Sequence, residues 1–134
     1  MIVLDSSFLI GFYNFDDAHH SKAFSLMQRF LDGRWGKGLL LEYVYLEVVT
    51  VLLVRADLAT ARMAAQLLLE SEELEFVPCS EFFADTVKSF TSQRKTKFSF
   101  TDSAIAMVAL SRADGLVLTF DEEFRKLPAI RLAE

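Results

Sequence analysis

The chain has 134 residues, 52% of them apolar and 13 of them phenylalanine, which suffices for one well-packed domain and leaves no room for a second. A mean hydropathy of +0.28 is high for a protein this small. Even so, no apolar run approaches the roughly 18 residues that cross a bilayer, and the opening Met1-Ile2-Val3-Leu4-Asp5 lacks a signal peptide's basic region, so the expectation is a cytoplasmic protein with no membrane association. The formal charge of −5 argues against gripping nucleic acid through bulk lysine and arginine, but not against a nuclease whose acids recruit divalent cations.

In chain order, Ile2 to Leu4 reads as a short buried parallel strand with Asp5 directly after it. Ser6 and Ser7 offer an N-cap to a helix carrying Phe8, Leu9 and Phe12. After the loop Asn14 to Asp17, Asp17 is positioned to cap an amphipathic helix through Ala23, Phe24, Met27, Phe30 and Leu31. His19 and His20 read as loop or first-turn residues. Gly33 to Gly38 supplies turn chemistry, and Leu39 to Leu41 is either a second strand or the entry to a helix that runs unbroken from Glu42 to Val54. Asp57 to Glu70 is a further helix, and Leu74 to Val77 a strand ended by Pro78.

The single cysteine, Cys79, has no disulfide partner and reads as a buried structural thiol. Ser80 can cap a helix containing Phe82, Phe83, Val87 and Phe90, followed by a polar loop from Ser92 to Lys97 and a helix from Ser99 to Arg112. Asp114-Gly115 turns into the strand Leu116 to Thr119, with Asp121 two residues beyond it, and the tail offers a helical turn, Pro128 and a last strand from Ile130 to Leu132. Strands alternating with helices make an α/β domain with a mostly parallel central sheet flanked by helices.

Four acids stand out in this frame. Asp5 and Asp121 follow strand ends, the edge where open α/β sheets bind ligands, although an aspartate there also caps helices. Glu47 lies in Tyr43-Val44-Tyr45-Leu46-Glu47-Val48-Val49, apolar on nearly every side; such a helix is expected to be buried, and a buried carboxylate needs a metal or an ion pair, for which Arg55 or Arg112 would serve. Asp102 completes Ser99-Phe100-Thr101-Asp102, a capping-box pattern compatible with a site role. Converging carboxylates repel one another unless cations join them, oxygen-only donors favour Mg²⁺ or Mn²⁺, and the matching chemistry is phosphodiester hydrolysis.

Taken together, the strand ending in Asp5, the apolar helix centred on Glu47, the segment Phe98 to Ala104 and the segment Leu118 to Phe124 resemble the PIN-domain ribonucleases, above all the VapC-type toxins of toxin–antitoxin pairs. The likeness spans nearly the whole chain. It implies a single PIN-like domain over residues 1–134, with a three-layer fold and an active site of Asp5, Glu47, Asp102 and Asp121. It further implies Mg²⁺ or Mn²⁺ as cofactor, RNA as substrate, a homodimer and a protein antitoxin. Ser6 or Thr119 would assist as a hydroxyl donor. Ser6 stands where the family often has Thr or Asn, and Glu123 where a second aspartate is frequent, which leaves a role for Glu123 open.

Two other readings fit less of the sequence. A receiver-type phosphotransfer module would need paired acids after the first strand and a lysine after a late one, whereas two serines follow Asp5 and no lysine follows Thr119 directly. A non-catalytic PIN-like scaffold would have no use for four clustered carboxylates. Arg94, Lys95 and Lys97 read as a solvated loop, with phosphate contact as the alternative, and Trp35 as an exposed aromatic or one packed on its loop.

Overall fold

A computed structural model describes residues 1–134. The elements run β1 (Ile2–Leu4), α1 (Ser6–Tyr13), α2 (His20–Leu31), β2 (Gly38–Leu41), α3 (Glu42–Arg55), α4 (Leu58–Glu70), β3 (Leu74–Val77), a 3₁₀ turn (Ser80–Phe82), α5 (Phe83–Ser92), α6 (Phe100–Arg112), β4 (Leu116–Leu118), a second 3₁₀ turn (Glu122–Lys126) and β5 (Arg131–Leu132). Leu39 to Leu41 is thus a strand, and it passes into α3 with no loop between them.

All five strands are parallel, in the order β3-β2-β1-β4-β5. The first two crossovers step in one direction and the third returns across β1. Right-handed crossovers therefore put α1 to α4 on one face and α5 with α6 on the other, giving the three-layer α/β arrangement that the resemblance implies. The two sides separate between β1 and β4, where the order reverses and a crevice opens at the carboxyl ends of the strands. β1 is fully buried, as are Leu39, Leu40 and Leu41 of β2 and Val117 and Leu118 of β4.

Three local expectations are corrected. Asp5, not Ser6 or Ser7, caps α1, accepting from the Ser6 N–H at 2.7 Å; a carboxylate one residue earlier reaches the first free amide better than either hydroxyl. Asp17 does not cap α2: its Oδ1 accepts from the His19 N–H within the preceding turn, and α2 starts at His20 with no side-chain cap. Ser80 likewise makes no cap, because a 3₁₀ turn precedes α5. The capping box at α6 forms as expected. Cys79 is fully buried, and Trp35 packs against the core with Arg34 over its ring.

The environment of Glu47 is a larger correction. Only Val44, Val48 and Leu52 of α3 are buried, a single i, i+4, i+8 stripe. Glu47 is exposed, as are Leu46, Leu53 and Val54, at 56%, 50% and 78%. Neither suggested ion pair forms either, since Arg112 pairs with Glu75 and Arg55 with no acid. Burial cost therefore says nothing about Glu47; its position on α3 carries its candidacy.

Candidate active site

Asp5 is held at the end of β1, where its N–H donates to the Leu118 carbonyl of β4. That register sets it beside Thr119, whose hydroxyl donates to Asp5 Oδ2 at 2.6 Å. Ser7 Oγ donates to the same oxygen at 3.0 Å, and Ser6 contributes its N–H and a longer contact from Oγ to Oδ1. The carboxylate is only 3% exposed. Burial pushes its pKa up, hydrogen bonds from Thr119, Ser6 and Ser7 pull it back, and the charge of Glu47 adds to the rise.

The same hydroxyls extend the network to β4. Thr119 Oγ1 accepts from the Asp121 N–H at 2.9 Å, and Ser7 Oγ accepts from the Phe120 N–H at 3.0 Å. Asp121 is thereby fixed through its backbone while Oδ1 accepts from the Glu123 N–H and Oδ2 has no protein partner. Asp102, at the third position of α6, accepts from the Ser99 N–H through Oδ2 and keeps Oδ1 free of protein partners. Its carboxyl is also raised, first by burial and then by the charges of Asp5 and Asp121, against the Ser99 hydrogen bonds.

One cleft of about 350 Å³ is lined by Asp5, Glu47, Asp102 and Asp121 together with Ser6, Ser7, Ser99 and Arg55. Glu47 reaches it from the α3 layer and Asp102 from the opposite layer, while Asp5 and Asp121 come from the sheet edge between them. The four expected acids thus share one crevice. No three of them stand together as a ready cage for an ion. The donor set nonetheless suits a hard divalent cation, since every side-chain ligand on offer is oxygen and Asp102, Asp121 and Glu47 each keep an uncommitted one.

Glu123 is turned elsewhere. Its Oε2 accepts from the Lys97 N–H at 2.7 Å and faces Lys126 Nζ at 3.0 Å, so it ties down the loop before α6. Arg94, Lys95 and Lys97 are exposed and do not line the cleft.

Sequence reasoning passed over Ser7 as a hub, having read it only as a cap, and considered Arg55 only as a partner for Glu47. Spacing carried a signal only for Arg55, which is eight residues past Glu47 on the same helical stripe; Ser7, two past Asp5 at a helix start, looks no different from a cap.

Residues 2–130 match the PIN domain family. Among solved structures, the chain is similar to Mycobacterium tuberculosis VapC20, described as a sarcin–ricin loop cleaving toxin, with a TM-score of 0.81 and 21% sequence identity over 94% of each chain. Among curated proteins none matches the sequence.

Proposed function

Because the chain belongs to the PIN-domain family, we propose that it is a divalent-metal-dependent ribonuclease hydrolysing RNA phosphodiester bonds, and the toxin of a type II toxin–antitoxin pair. The observation that carries this reading is the meeting of four acids from four separate chain segments in one cleft at the sheet's switch point. The fold likeness to VapC20, itself described as an RNA-loop-cleaving toxin, supports the toxin assignment.

In this reading Asp5, Glu47, Asp102 and Asp121 would hold Mg²⁺ or Mn²⁺, which would supply activation of a water and a counter-charge for the phosphodiester. Ser6, Ser7 and Thr119 orient Asp5, and the Thr119 hydroxyl also holds the Asp121 backbone, so one side chain sets two acids.

Two apolar features support the partners. A groove of about 360 Å³ between α1, α2 and α4, lined by Leu9, Phe12, Met27, Phe30, Leu31 and Leu67, would seat an apolar segment of an antitoxin. Beside the acids, Tyr43, Phe83 and Phe90 all pack around Phe100, with Phe83 still 54% exposed, a surface suited to a second copy of the chain.

The test is cleavage of purified ribosomal RNA and of mixed-sequence RNA with Mn²⁺ or Mg²⁺. Cleavage should be abolished by chelator and by Asp5→Asn; full activity in either condition overturns the proposal. A non-catalytic scaffold is the second reading, favoured by the absence of any three acids close together. A thermal-shift titration separates the two, because Mn²⁺ at about 100 times its Kd adds roughly 2.7 kcal/mol to a native site. No shift and no cleavage would establish the scaffold.

A further inference from the structure

Arg55 is the one basic residue lining the acidic cleft, and no carboxylate holds it. The ion pairs of the molecule lie elsewhere: Arg112 with Glu75, Arg125 with Glu122 and Glu134, and Lys126 with Glu123. A guanidinium left unpaired on a wall shared with four carboxylates calls for an explanation.

The geometry of α3 supplies part of one. Glu47, Val51 and Arg55 recur at four-residue steps, so all three lie on one stripe and all three line the cleft. Two such steps separate Glu47 from Arg55 by about 12 Å along the helix axis. No ion pair joins the two, yet the cation stands on the same wall as Glu47. It is exposed, and its five donors are free of protein acceptors.

A cleft built from acids repels a polyanion everywhere except where cations sit. We propose that Arg55 is a positioning residue for the RNA substrate, its planar fork taking a phosphate that flanks the scissile one and so laying the strand across the four acids. The proposal rests on the ribonuclease reading above. Phosphate contacts of this kind set register and orientation without reading sequence, and the bidentate geometry favours arginine over lysine. Arg55 also falls in the last turn of α3, where a cation complements the helix dipole. That role would affect stability alone, so it can be separated from substrate contact.

The experiment measures binding of a labelled mixed-sequence single-stranded RNA across a salt series, with Mn²⁺ present and in an Asp5→Asn background that prevents turnover. Arg55→Gln and Arg55→Lys are compared with the background protein. Loss of one phosphate contact should weaken binding by Arg55→Gln about tenfold at low salt and flatten the plot of log affinity against log salt by about 0.7. Arg55→Lys, which keeps the charge and the dipole complement, should retain the slope and recover part of the affinity.

In steady-state cleavage with Asp5 intact, Arg55→Gln should raise KM with kcat little changed. An unchanged salt slope and KM in a folded Arg55→Gln protein overturn the proposal, whatever happens to thermal stability. Were Arg55→Gln to fail to fold, Arg55→Lys with wild-type affinity and wild-type KM would overturn it instead. RNA cleavage by the wild type alongside such a result leaves the ribonuclease reading standing, whereas a wild type that neither binds nor cleaves RNA removes both.

Discussion

Asp5 sets function against stability in a single side chain. Its carboxyl is almost fully buried, and burial outweighs the three hydrogen-bond donors around it, leaving the pKa raised. A proton held more tightly in the folded chain than in the unfolded one makes stability fall as pH rises. The cost is absent below the ordinary value of 3.8, grows as pH climbs through the raised folded value, and is constant above it. Asp102 contributes with the same sign. Asp5→Asn should therefore unfold at higher urea than the wild type in chelator at neutral pH, by about 1 kcal/mol or more, while losing activity. The hydroxyls of Thr119 and Ser7 can turn to receive the new amide. The advantage should shrink as the buffer is taken down toward pH 4; an advantage that is constant with pH would show that the buried charge is not its cause. Part of this was legible in the sequence: the strand-end position of Asp5 stood out, and the family resemblance implied Thr119 or Ser6 as a hydroxyl donor. The hub role of Ser7 was not, because a hydroxyl beside a helix start looks the same whether it caps the helix or clamps a carboxylate 3.0 Å away.

At the scale of elements, the strands and helices were readable because turn residues and period changes mark them, down to the capping box at α6. The surroundings of α3 were misread for a physical reason. A helix apolar on every side is the signature of full burial, and it is equally the signature of a helix with one face in the core and apolar side chains left exposed on another. Leu46 and Val54, at 56% and 78% exposed, belong to the second case. Glu47 thus lines the cleft with the other three acids, although the argument from burial that singled it out does not hold.

The turn between α6 and β4 carries a sharper dependence on sequence. Gly115 has φ +78°, and a Cβ there would lie 2.0 Å from the Ala129 carbonyl oxygen. The Gly115 carbonyl meanwhile accepts from the Arg131 N–H, joining β5 to the start of the strand that delivers Asp121. Gly115→Ala should cost about 2 kcal/mol or more, since a disfavoured φ and a backbone clash act together, and lower the melting temperature by roughly 8 °C. Gly33 has φ +86° with open space around it, so Gly33→Ala should cost only the conformational term, about 1 kcal/mol. Equal losses for the two variants would mean that the Ala129 contact relaxes freely.

For the whole molecule, alternation of strands and helices implied a mostly parallel sheet, but not that β4 would return across β1 to give the order 3-2-1-4-5. That return is a long-range choice made by which faces pack, and it creates the crevice where the acids meet. The same packing leaves apolar surface uncovered. Tyr43 and Phe100, with the exposed Phe83 and Phe90, form one continuous aromatic cluster where α3, α5 and α6 come together beside the site. A stable dimer buries on the order of 1,000 Å² or more, and aromatic residues dominate the cores of such interfaces. The wild type should accordingly sediment as a dimer at micromolar concentration. Phe83→Asp introduces a charge at the most exposed ring of the patch but at the first residue of α5, a position where an acid favours the helix. It should sediment as a folded monomer, with an unchanged far-ultraviolet circular dichroism spectrum. If the wild type is a monomer at these concentrations, or the variant remains a dimer, this aromatic face is not where two copies meet.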